Sequence, residues 1–181
     1  MGRRVKATKD RPWHYTDCGL DNIWLIGIEV ETDARTGEEE PIIPQLRDLH
    51  DCIFATLLQK SGHLAGPEVR YLRRHLGWTQ AIAAEKLGFN SPQYFSELER
   101  RDVAFSDIPV DFVWRLLCVN AFEEKARGAR KREAKSIKSN LLHKTEKLLA
   151  EMRDRAASRI LRIVHTRSEG IQSWKPLLRA A

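Results

Sequence analysis

The side chains best suited to chemistry are polar groups clustered between positions 79 and 100. Two of them are the glutamines Gln80 and Gln93, and a glutamate follows at Glu97. A glutamine amide donates and accepts hydrogen bonds side by side, which matches the N6 and N7 atoms of adenine, and a glutamate can accept from the cytosine amino group. These residue types can therefore read the edges of DNA bases, provided that the chain displays them on one surface.

Two short helices are predicted around the first of these groups, one before Thr79 and one after it. Pro67 opens one of them, at a position where its missing N–H costs no hydrogen bond, and Gly77 ends it. Thr79 is expected to cap the other, which runs from Gln80 to Leu87. Apolar residues at helical spacing are predicted to face inward, namely Val69, Leu72, Leu76, Ile82, Ala83 and Leu87.

A third helix follows the turn at 88–90. Ser91 is expected to cap this helix and Pro92 to start it, with Phe95 and Leu98 on the inner face. The outward side chains would be Gln93, Tyr94, Ser96 and Glu97. Residues 66–101 therefore predict a helix-turn-helix, although three amphipathic helices of this length could also form a generic bundle whose polar residues are ordinary surface residues.

This stretch resembles the Cro/repressor class (XRE family) of helix-turn-helix DNA-binding domains. The resemblance is carried by Arg73, Leu76-Gly77, Thr79-Gln80, Ala83, Leu87-Gly88, Phe95 and Leu98-Glu99. It implies that the third helix enters the major groove, that Gln80 touches the DNA backbone, and that Arg73 pairs with Glu99. The turn is one residue longer than the usual pattern, so it stays open which of 91–94 reaches the bases, with Gln93 and Glu97 fitting best. The predicted DNA-binding residues are Thr79, Gln80, Ser91, Gln93, Tyr94, Ser96, Glu97 and Arg100.

The N-terminal part is divided into two segments. Residues 1–12 are basic and without periodicity, which predicts a disordered arm that either contacts DNA or is only solvated. Residues 13–62 predict a β-hairpin and a connecting helix, with one strand over Ile23–Thr32 bulged at Gly27 and a return strand over Glu38–Pro44. The connecting helix, at about 44–60, carries the apolar residues Leu46, Leu49, Ile53, Phe54, Leu57 and Leu58.

The helix-turn-helix domain is expected to span 63–119, and residues 120–181 to form a basic helical extension. A further helix is expected to start near Asp107. In Cro-like domains the last helices close the core and often make the dimer contact, so the resemblance places Trp114 or Phe105 either in that contact or in the core. A longer helix over about 134–167 is predicted from apolar residues seven apart, which either join two chains or pack on their own subunit. The residues of this seam are Leu142, Leu149, Ala156 and Ile163. The expected fold is thus mainly α, a Cro/repressor-like bundle with a small N-terminal hairpin and a long basic C-terminal helix.

Charge is unevenly distributed along the 181 residues, which carry a net charge of +6. Residues 120–181 hold sixteen Lys and Arg against seven Asp and Glu, whereas 17–50 hold nine acids against two arginines. A polyanion would be attracted to the C-terminal part and repelled by this acidic segment. No apolar run of about 18 residues and no signal peptide are apparent, and three sparse cysteines suit a reducing compartment, so we expect a cytoplasmic bacterial protein without membrane contact.

A second resemblance covers about residues 15–119. A small β segment, a connecting helix and a Cro-like domain in this order are similar to MqsA-type antitoxins, which implies a small basic toxin protein as partner. That family uses paired CxxC motifs to bind zinc, whereas this chain offers only Cys18, with His14, His50 and Cys52 as further candidates. Zinc at Cys18 or Cys52 therefore stays open, and no cofactor or metal is predicted.

The sequence contains no catalytic motif: it has no glycine-rich phosphate loop, no GxSxG and no HExxH. We therefore expect a non-enzymatic regulator, a homodimer that represses transcription from a palindromic operator in double-stranded DNA, nucleoid-associated when bound. The alternative is an antitoxin that binds a toxin through its N-terminal half and represses its own operon. A third reading, nonspecific coating of DNA by the basic tail, predicts little sequence preference.

Overall fold

A computed structural model describes residues 3–106, 108–126, 128–143, 161–168 and 171–176. The chain forms two compact units, the first made of Met1–Ile53 with Arg159–Ala181 and the second of Phe54–Ser158. The predicted domain boundary at 62/63 thus falls inside the second unit. The described ranges mix α and β structure, so the expectation of a mainly α fold is confirmed only in part, for the helices that follow the N-terminal strands.

The strands and helices of these ranges are numbered in chain order. The strands are β1 (Arg3–Lys6), β2 (Trp13–His14), β3 (Ile23–Ile26), β4 (Glu29–Thr32), β5 (Glu39–Ile42), β6 (Leu161–Ser168) and β7 (Ile171–Pro176). The helices are α1 (Leu46–Leu58), α2 (Gly66–His75), α3 (Gln80–Lys86), α4 (Pro92–Leu98), α5 (Ile108–Lys125) and α6 (Ala129–His143). None of the helices within the described ranges is long and apolar enough to cross a bilayer.

The first sheet contains the predicted hairpin. Strand β4 pairs antiparallel with β5 on one side and with β1 on the other. Val30 lies opposite both Val5 and Pro41, which gives the sheet one apolar face. The turn between β4 and β5 is held by the Asp33 carboxylate, which accepts the backbone N–H groups of Arg35 at 2.6 Å and Thr36 at 3.0 Å.

The predicted disorder of residues 1–12 is wrong for Arg3–Lys6, which form β1. Arg4 forms ion pairs with Glu29 and Glu31 on the neighbouring strand, at 3.7 and 3.5 Å. Arg11 likewise pairs with Glu39 at 2.9 Å. The basic segment therefore adds a strand beside acidic β4, and part of its charge is used within its own unit. This pairing joins residues about 25 positions apart, which the local pattern of 1–12 could not indicate.

The predicted strand over Ile23–Thr32 is divided at Gly27, which has a φ of +89°. The Gly27 N–H donates to the carbonyl of Ala7 at 2.8 Å, and the Ala7 N–H donates to the carbonyl of Ile28 at 2.9 Å. The chain changes sheets at this point, so that β3 and β4 belong to different sheets instead of forming one bulged strand. A glycine suits the place because a side chain at this φ would be strained.

The second sheet has the strand order β2-β3-β6-β7 and includes the C-terminal part of the chain. Strand β6 runs parallel to β3, with Ile23 opposite Leu161 and Ile26 opposite Val164, and β7 pairs antiparallel with β6. The helix predicted over 134–167 is therefore wrong at 161–167. Helix α6 ends at His143, and residues 144–160, with seam positions 149 and 156, lie outside the described residues.

The sequence predicts a helix in place of β6 because Ile163 continues the seven-residue apolar repeat that begins at Leu142. The segment LRIVHTRS is rich in β-branched residues, which favour a pleated surface. Pairing beside β3 completes a sheet whose Ile23 and Leu25 are fully buried. Residues 161–168 are therefore a strand because they pair with β3, which is distant in the sequence.

The core of the second unit is built around α5. Trp114 is fully buried and contacts the rings of Phe95 at 5.3 Å, Trp78 at 5.8 Å and Phe105 at 6.3 Å between ring centroids. Both residues proposed for a dimer contact, Trp114 and Phe105, are therefore core residues instead. Helix α6 packs against α5 and buries Ala134, Ile137 and Leu141 at the spacing of one helix face.

A buried arginine fixes the connection that leads into α2. The Arg115 guanidinium pairs with Asp111 at 2.7 Å and donates to the carbonyls of Lys60 at 2.7 Å and Gly62 at 2.6 Å. Asp111 also accepts the Leu64 N–H at 3.0 Å. Because every charged atom has a partner, this pair can be buried, and it holds the 58–64 segment against α5.

Candidate nucleic-acid interface

The helix boundaries predicted for 66–98 are confirmed to within a residue or two, with Thr79 and Ser91 at the predicted caps. Thr79 Oγ1 accepts the N–H of Ile82 at 3.2 Å, and Ser91 Oγ accepts the N–H of Gln93 at 3.2 Å. Each side chain satisfies a backbone donor that the helix itself leaves free. These caps fix where α3 and α4 begin, and the buried apolar residues of each helix decide which side chains face outward.

The carboxylate of Glu99 ties together α2, α3 and the end of α4. Both oxygens of Glu99 bond to the Arg73 guanidinium, with Arg73 Nη2 3.1 Å from Oε2. The amide of Gln80 donates to the same carboxylate at 2.9 Å, and Arg70 Nε lies 3.6 Å from it. Only 1% of the Glu99 surface is exposed. The ion pair between Arg73 and Glu99, implied by the family resemblance, is thus present.

Gln80 is half-buried at the start of α3. One of the two amide hydrogens of its side chain is used by Glu99, which leaves one hydrogen and the carbonyl oxygen for other partners. Arg73 also donates to the carbonyl of Trp78 at 2.8 Å, so the turn before α3 is fixed to the same cluster. Gln80 is therefore held in place by the helices around it.

The outward face predicted for α4 is confirmed for three of its four residues, since Ser96 is half-buried. Gln93, Tyr94 and Glu97 are exposed, whereas Phe95 and Leu98 are buried. Of the remaining predicted residues, Thr79 and Arg100 are exposed, and Ser91 and Ser96 are half-buried. The structure thus brings the predicted residues to the α3 and α4 surface of one unit, with Pro92 as the first residue of α4.

Two side chains on this face are held by contacts that the sequence did not indicate. Ser91 Oγ lies 2.7 Å from Oε1 of Gln93. The ring of Tyr94 meets Phe89 edge-on, with 5.0 Å between ring centroids, and Arg101 lies over its face at 5.6 Å. Arg101 was not among the predicted site residues, because no spacing rule links a residue after a helix to an aromatic ring seven positions earlier.

One predicted inward residue faces outward. Ile82 is exposed, and the buried positions of α3 are Ala83 and Ala84. With the helix starting at Gln80, the adjacent alanines point to the core and Ile82 lies beside them on the open side. Lys86 of the same helix lies over the ring of Trp78, 4.9 Å from its centroid. The surface of α3 is thus partly apolar next to a cation.

Cations slightly exceed anions on the exposed surface of residues 66–102, which hold α2, α3, α4 and the turn after α4. The exposed cationic residues are Arg74, Lys86, Arg100 and Arg101, and the exposed acidic residues are Glu85, Glu97 and Asp102. Further exposed cations occur on α6 of the same unit, at Lys131, Arg132 and Lys135. A surface with this balance attracts phosphates weakly by itself, and the α6 cations would add to the attraction.

The residues considered for zinc have other contacts in the first unit. His14 Nε2 lies 2.8 Å from the carbonyl of Asp21, and His50 Nε2 lies 3.2 Å from the hydroxyl of Tyr15. Burial raises the pKa of the Cys18 thiol, which disfavours the thiolate that a metal requires. Among the residues that the structure describes, no group of three or more His, Cys, Asp or Glu side chains is placed to hold a metal ion.

Comparisons of this chain with models of known protein families, with functionally characterised proteins and with experimentally determined structures found no match.

Proposed function

We propose that the protein is a sequence-specific DNA-binding regulator of transcription, in which α2, α3 and α4 act as a helix-turn-helix. Helix α4 would lie in the major groove, with Gln93, Tyr94 and Glu97 against base edges. Thr79, Gln80 and Arg100 would contact phosphates and set the register of the protein on the duplex.

The observation that carries this proposal is the preorganised outer face of α4. Its exposed side chains are long and polar, while Phe95 and Leu98 anchor the helix to the core. Ser91 and the Glu99 cluster hold Gln93 and the helix end before any ligand is present. A surface that binds by shape and hydrogen bonds gains affinity when its groups are already held in position.

A dimer is part of this proposal, because one short helix contacts too few base pairs to select an operator. The outer face of α5 provides an apolar surface for it. Val113 is 44% exposed, and Val110, Leu116 and Leu117 beside it are half-buried. This surface replaces Trp114 and Phe105 as the proposed interface, and the resulting two-fold protein would bind a palindromic operator as a repressor.

The antitoxin alternative depends on acidic residues of the first unit attracting a basic toxin. Glu31 and Glu40 lie directly opposite each other in the first sheet, an unfavourable pair that a basic partner would relieve. However, Arg4 and Arg11 already pair with acids of the same unit, which lowers the attraction for an external cation. We therefore place this function second, and its test is copurification of a small basic protein.

Footprinting across the protein's own promoter tests the main proposal. We expect protection of a palindrome with half-sites about one helical turn, or a multiple of it, apart. Replacing Gln93 by Ala should lower the discrimination between operator and scrambled DNA by about 1–3 kcal/mol. An unchanged ratio of the two affinities would show that Gln93 does not read a base, and diffuse protection in the wild type would contradict the proposal itself.

The exposed α6 residues Lys131 and Arg132 are tested by replacing both with Gln. If they neutralise phosphates, the variant should bind all DNA more weakly, and the slope of log K against log salt should shrink by about 0.9 for each phosphate that is no longer neutralised. Replacing Arg35 and Arg47 by Gln, which removes two exposed cations from the first unit, is the matched control. A slope equal to that of the wild type would remove α6 from the DNA interface.

A further inference from the structure

The amide of Gln93 is held in one orientation by the residue that caps its helix. Ser91 Oγ accepts the backbone N–H of Gln93 at 3.2 Å and lies 2.7 Å from the amide oxygen Oε1 of the same residue. A hydroxyl has one hydrogen to donate, and this hydrogen can only be used towards an acceptor such as Oε1. The separation of 2.7 Å is typical of an O–H···O bond and shorter than is usual for N–H···O.

The contact has a consequence for the free end of the side chain. In a planar amide the NH₂ group lies on the other side of the amide carbon from the oxygen. With Oε1 held 2.7 Å from Ser91 Oγ, exposed Gln93 turns its two N–H groups towards an external partner. One lone pair of Oε1 is left, but the oxygen is directed to Ser91, so the donor groups are the more open end of the side chain.

We propose that Ser91 is a positioning residue that makes Gln93 select guanine, and this inference rests on the proposed DNA-binding function. Guanine presents two adjacent acceptors, N7 and O6, in the major groove. Adenine presents the acceptor N7 beside the donor N6, and pairing with both needs the amide oxygen to turn towards the base. An amide whose oxygen is directed to Ser91 thus suits guanine better than adenine.

The local backbone supports this role. Pro92 stands between the two residues, and its ring fixes φ near the helical value. The bond between Ser91 and Gln93 therefore spans one rigid residue, so little flexibility of the backbone separates the two side chains. A long exposed glutamine would otherwise sample many rotamers, and its restriction before binding removes an entropic cost of recognition.

The test uses the full-length protein and duplexes selected from a random DNA library. The position read by Gln93 is located as the base pair whose preference is lost in Gln93→Ala. Dissociation constants are then measured for duplexes that carry guanine or adenine at that position. We expect the wild type to prefer guanine by at least about fivefold, which is the lower end expected for a good side-chain contact to a base.

Three replacements of Ser91 separate the hydroxyl's contact with Gln93 from its role as a cap. Ser91→Thr keeps both and should keep the preference for guanine. Ser91→Asp keeps a cap but can only accept, so it should bond the amide NH₂ and turn Oε1 outward. Its preference should shift towards adenine or cytosine, whose amino groups donate. Ser91→Ala frees the amide, and its preference should fall below about threefold.

The ratio of two affinities is the readout, because an added aspartate weakens binding to every sequence by repelling phosphates. Circular dichroism confirms that each variant is folded. A guanine preference that is equal in the wild type, Ser91→Ala and Ser91→Asp would overturn the inference. So would sequence-specific binding in which Gln93→Ala changes no position, although the proposed function would then survive. Binding without any sequence preference in the wild type would overturn both.

Discussion

Glu99 is the residue on which the geometry of the proposed interface depends most. Its buried carboxylate accepts from the Arg73 guanidinium and from the amide of Gln80, and thereby connects three helices. Arg73 also holds the turn at Trp78. A buried ion pair adds little stability compared with apolar packing, but the loss of one partner leaves an uncompensated charge. The pair therefore sets the arrangement of the helices more than it adds to the total stability.

We predict that Glu99→Gln lowers the free energy of unfolding by about 3–5 kcal/mol, since buried Arg73, with only 9% of its surface exposed, then lacks a counter-charge. Urea denaturation followed by circular dichroism measures the change. Glu85→Gln removes an exposed carboxylate from α3 and should stay within about 0.5 kcal/mol of the wild type. Equal stabilities for Glu99→Gln and Glu85→Gln would mean that the cluster is not needed for the fold.

Tyr15 is a buried phenol in the first unit, where its hydroxyl lies 3.2 Å from Nε2 of His50. Burial raises its pKa to about 12, with smaller contributions from the negative charges of Cys18 and Asp17. The unfolded chain has a tyrosine pKa near 10.0, so between these values it releases a proton that the folded chain keeps. The contribution of Tyr15 to stability is therefore complete below about pH 10 and is lost as the pH rises towards 12.

Tyr15→Phe should remove the loss of stability that the ionisation of Tyr15 causes between about pH 10 and 12. Near pH 8 the variant is expected to be less stable than the wild type, because it lacks the hydrogen bond of the hydroxyl. This difference in the free energy of unfolding should shrink between about pH 10 and 12. Urea midpoints measured at several pH values in this window give the comparison. Tyr94→Phe changes an exposed tyrosine and is the control. A difference that is constant with pH would contradict the assignment.

The start of α2 approaches the end of α4 closely. The Gly66 N–H donates to the carbonyl of Arg101 at 2.8 Å. A Cβ atom at Gly66 would lie 2.6 Å from the carbonyl carbon of Glu99 and 2.6 Å from the oxygen of Leu98. Both are backbone atoms and cannot move as a flexible side chain would. The absence of a side chain at this position thus allows the two helices to meet.

Gly66→Ala is predicted to separate these helices. It should lower the free energy of unfolding by about 1–3 kcal/mol, the usual effect of overpacking. It should also weaken DNA binding, because the end of α4 and the Glu99 cluster would shift. Thermal unfolding and operator affinity are the measurements. Pro67→Ala changes the exposed neighbour and should have an effect of less than about 1 kcal/mol. An unaffected Gly66→Ala would argue against this close approach.

At the scale of the whole molecule, the proposed regulator needs two copies, and two apolar surfaces of the second unit compete for the role. One lies around Val113 on α5, which is 44% exposed, and the other around Leu142 on α6, which is 51% exposed. Leu142 belongs to the seam predicted to join two chains, but Ile163 of that seam lies in strand β6. Because Ile163 is not helical, the predicted seven-residue repeat does not reach it, and α5 is the stronger candidate for the dimer interface.

Val113→Glu should convert the dimer into a monomer, because it places a charge inside an apolar contact. Light scattering after size exclusion measures the mass, and the affinity for the full operator should fall towards that for a single half-site. Leu142→Glu, an equivalent change on α6, should leave the dimer intact. The opposite pattern would move the interface to α6, and a wild-type monomer would remove this part of the proposal.

The sequence by itself determined those features that depend on neighbouring residues. Thr79 and Ser91 cap the helices that follow them, and Phe95 faces the core while Gln93 faces outward, because capping and helical periodicity act over three or four residues. The turn at Asp33 followed from the same local chemistry. The candidate site was predicted for this reason, although the inward placement of Ile82 was wrong by one position on its helix.

Only the tertiary structure decided what depends on distant partners. Strand β1 exists because acidic β4 lies beside it, and β6 is a strand because β3 offers it a parallel partner. Trp114 is in the core because α5 is enclosed by the helices before and after it. Strand pairing and packing join residues far apart in sequence, and their energies override the local preferences from which the sequence predictions were made.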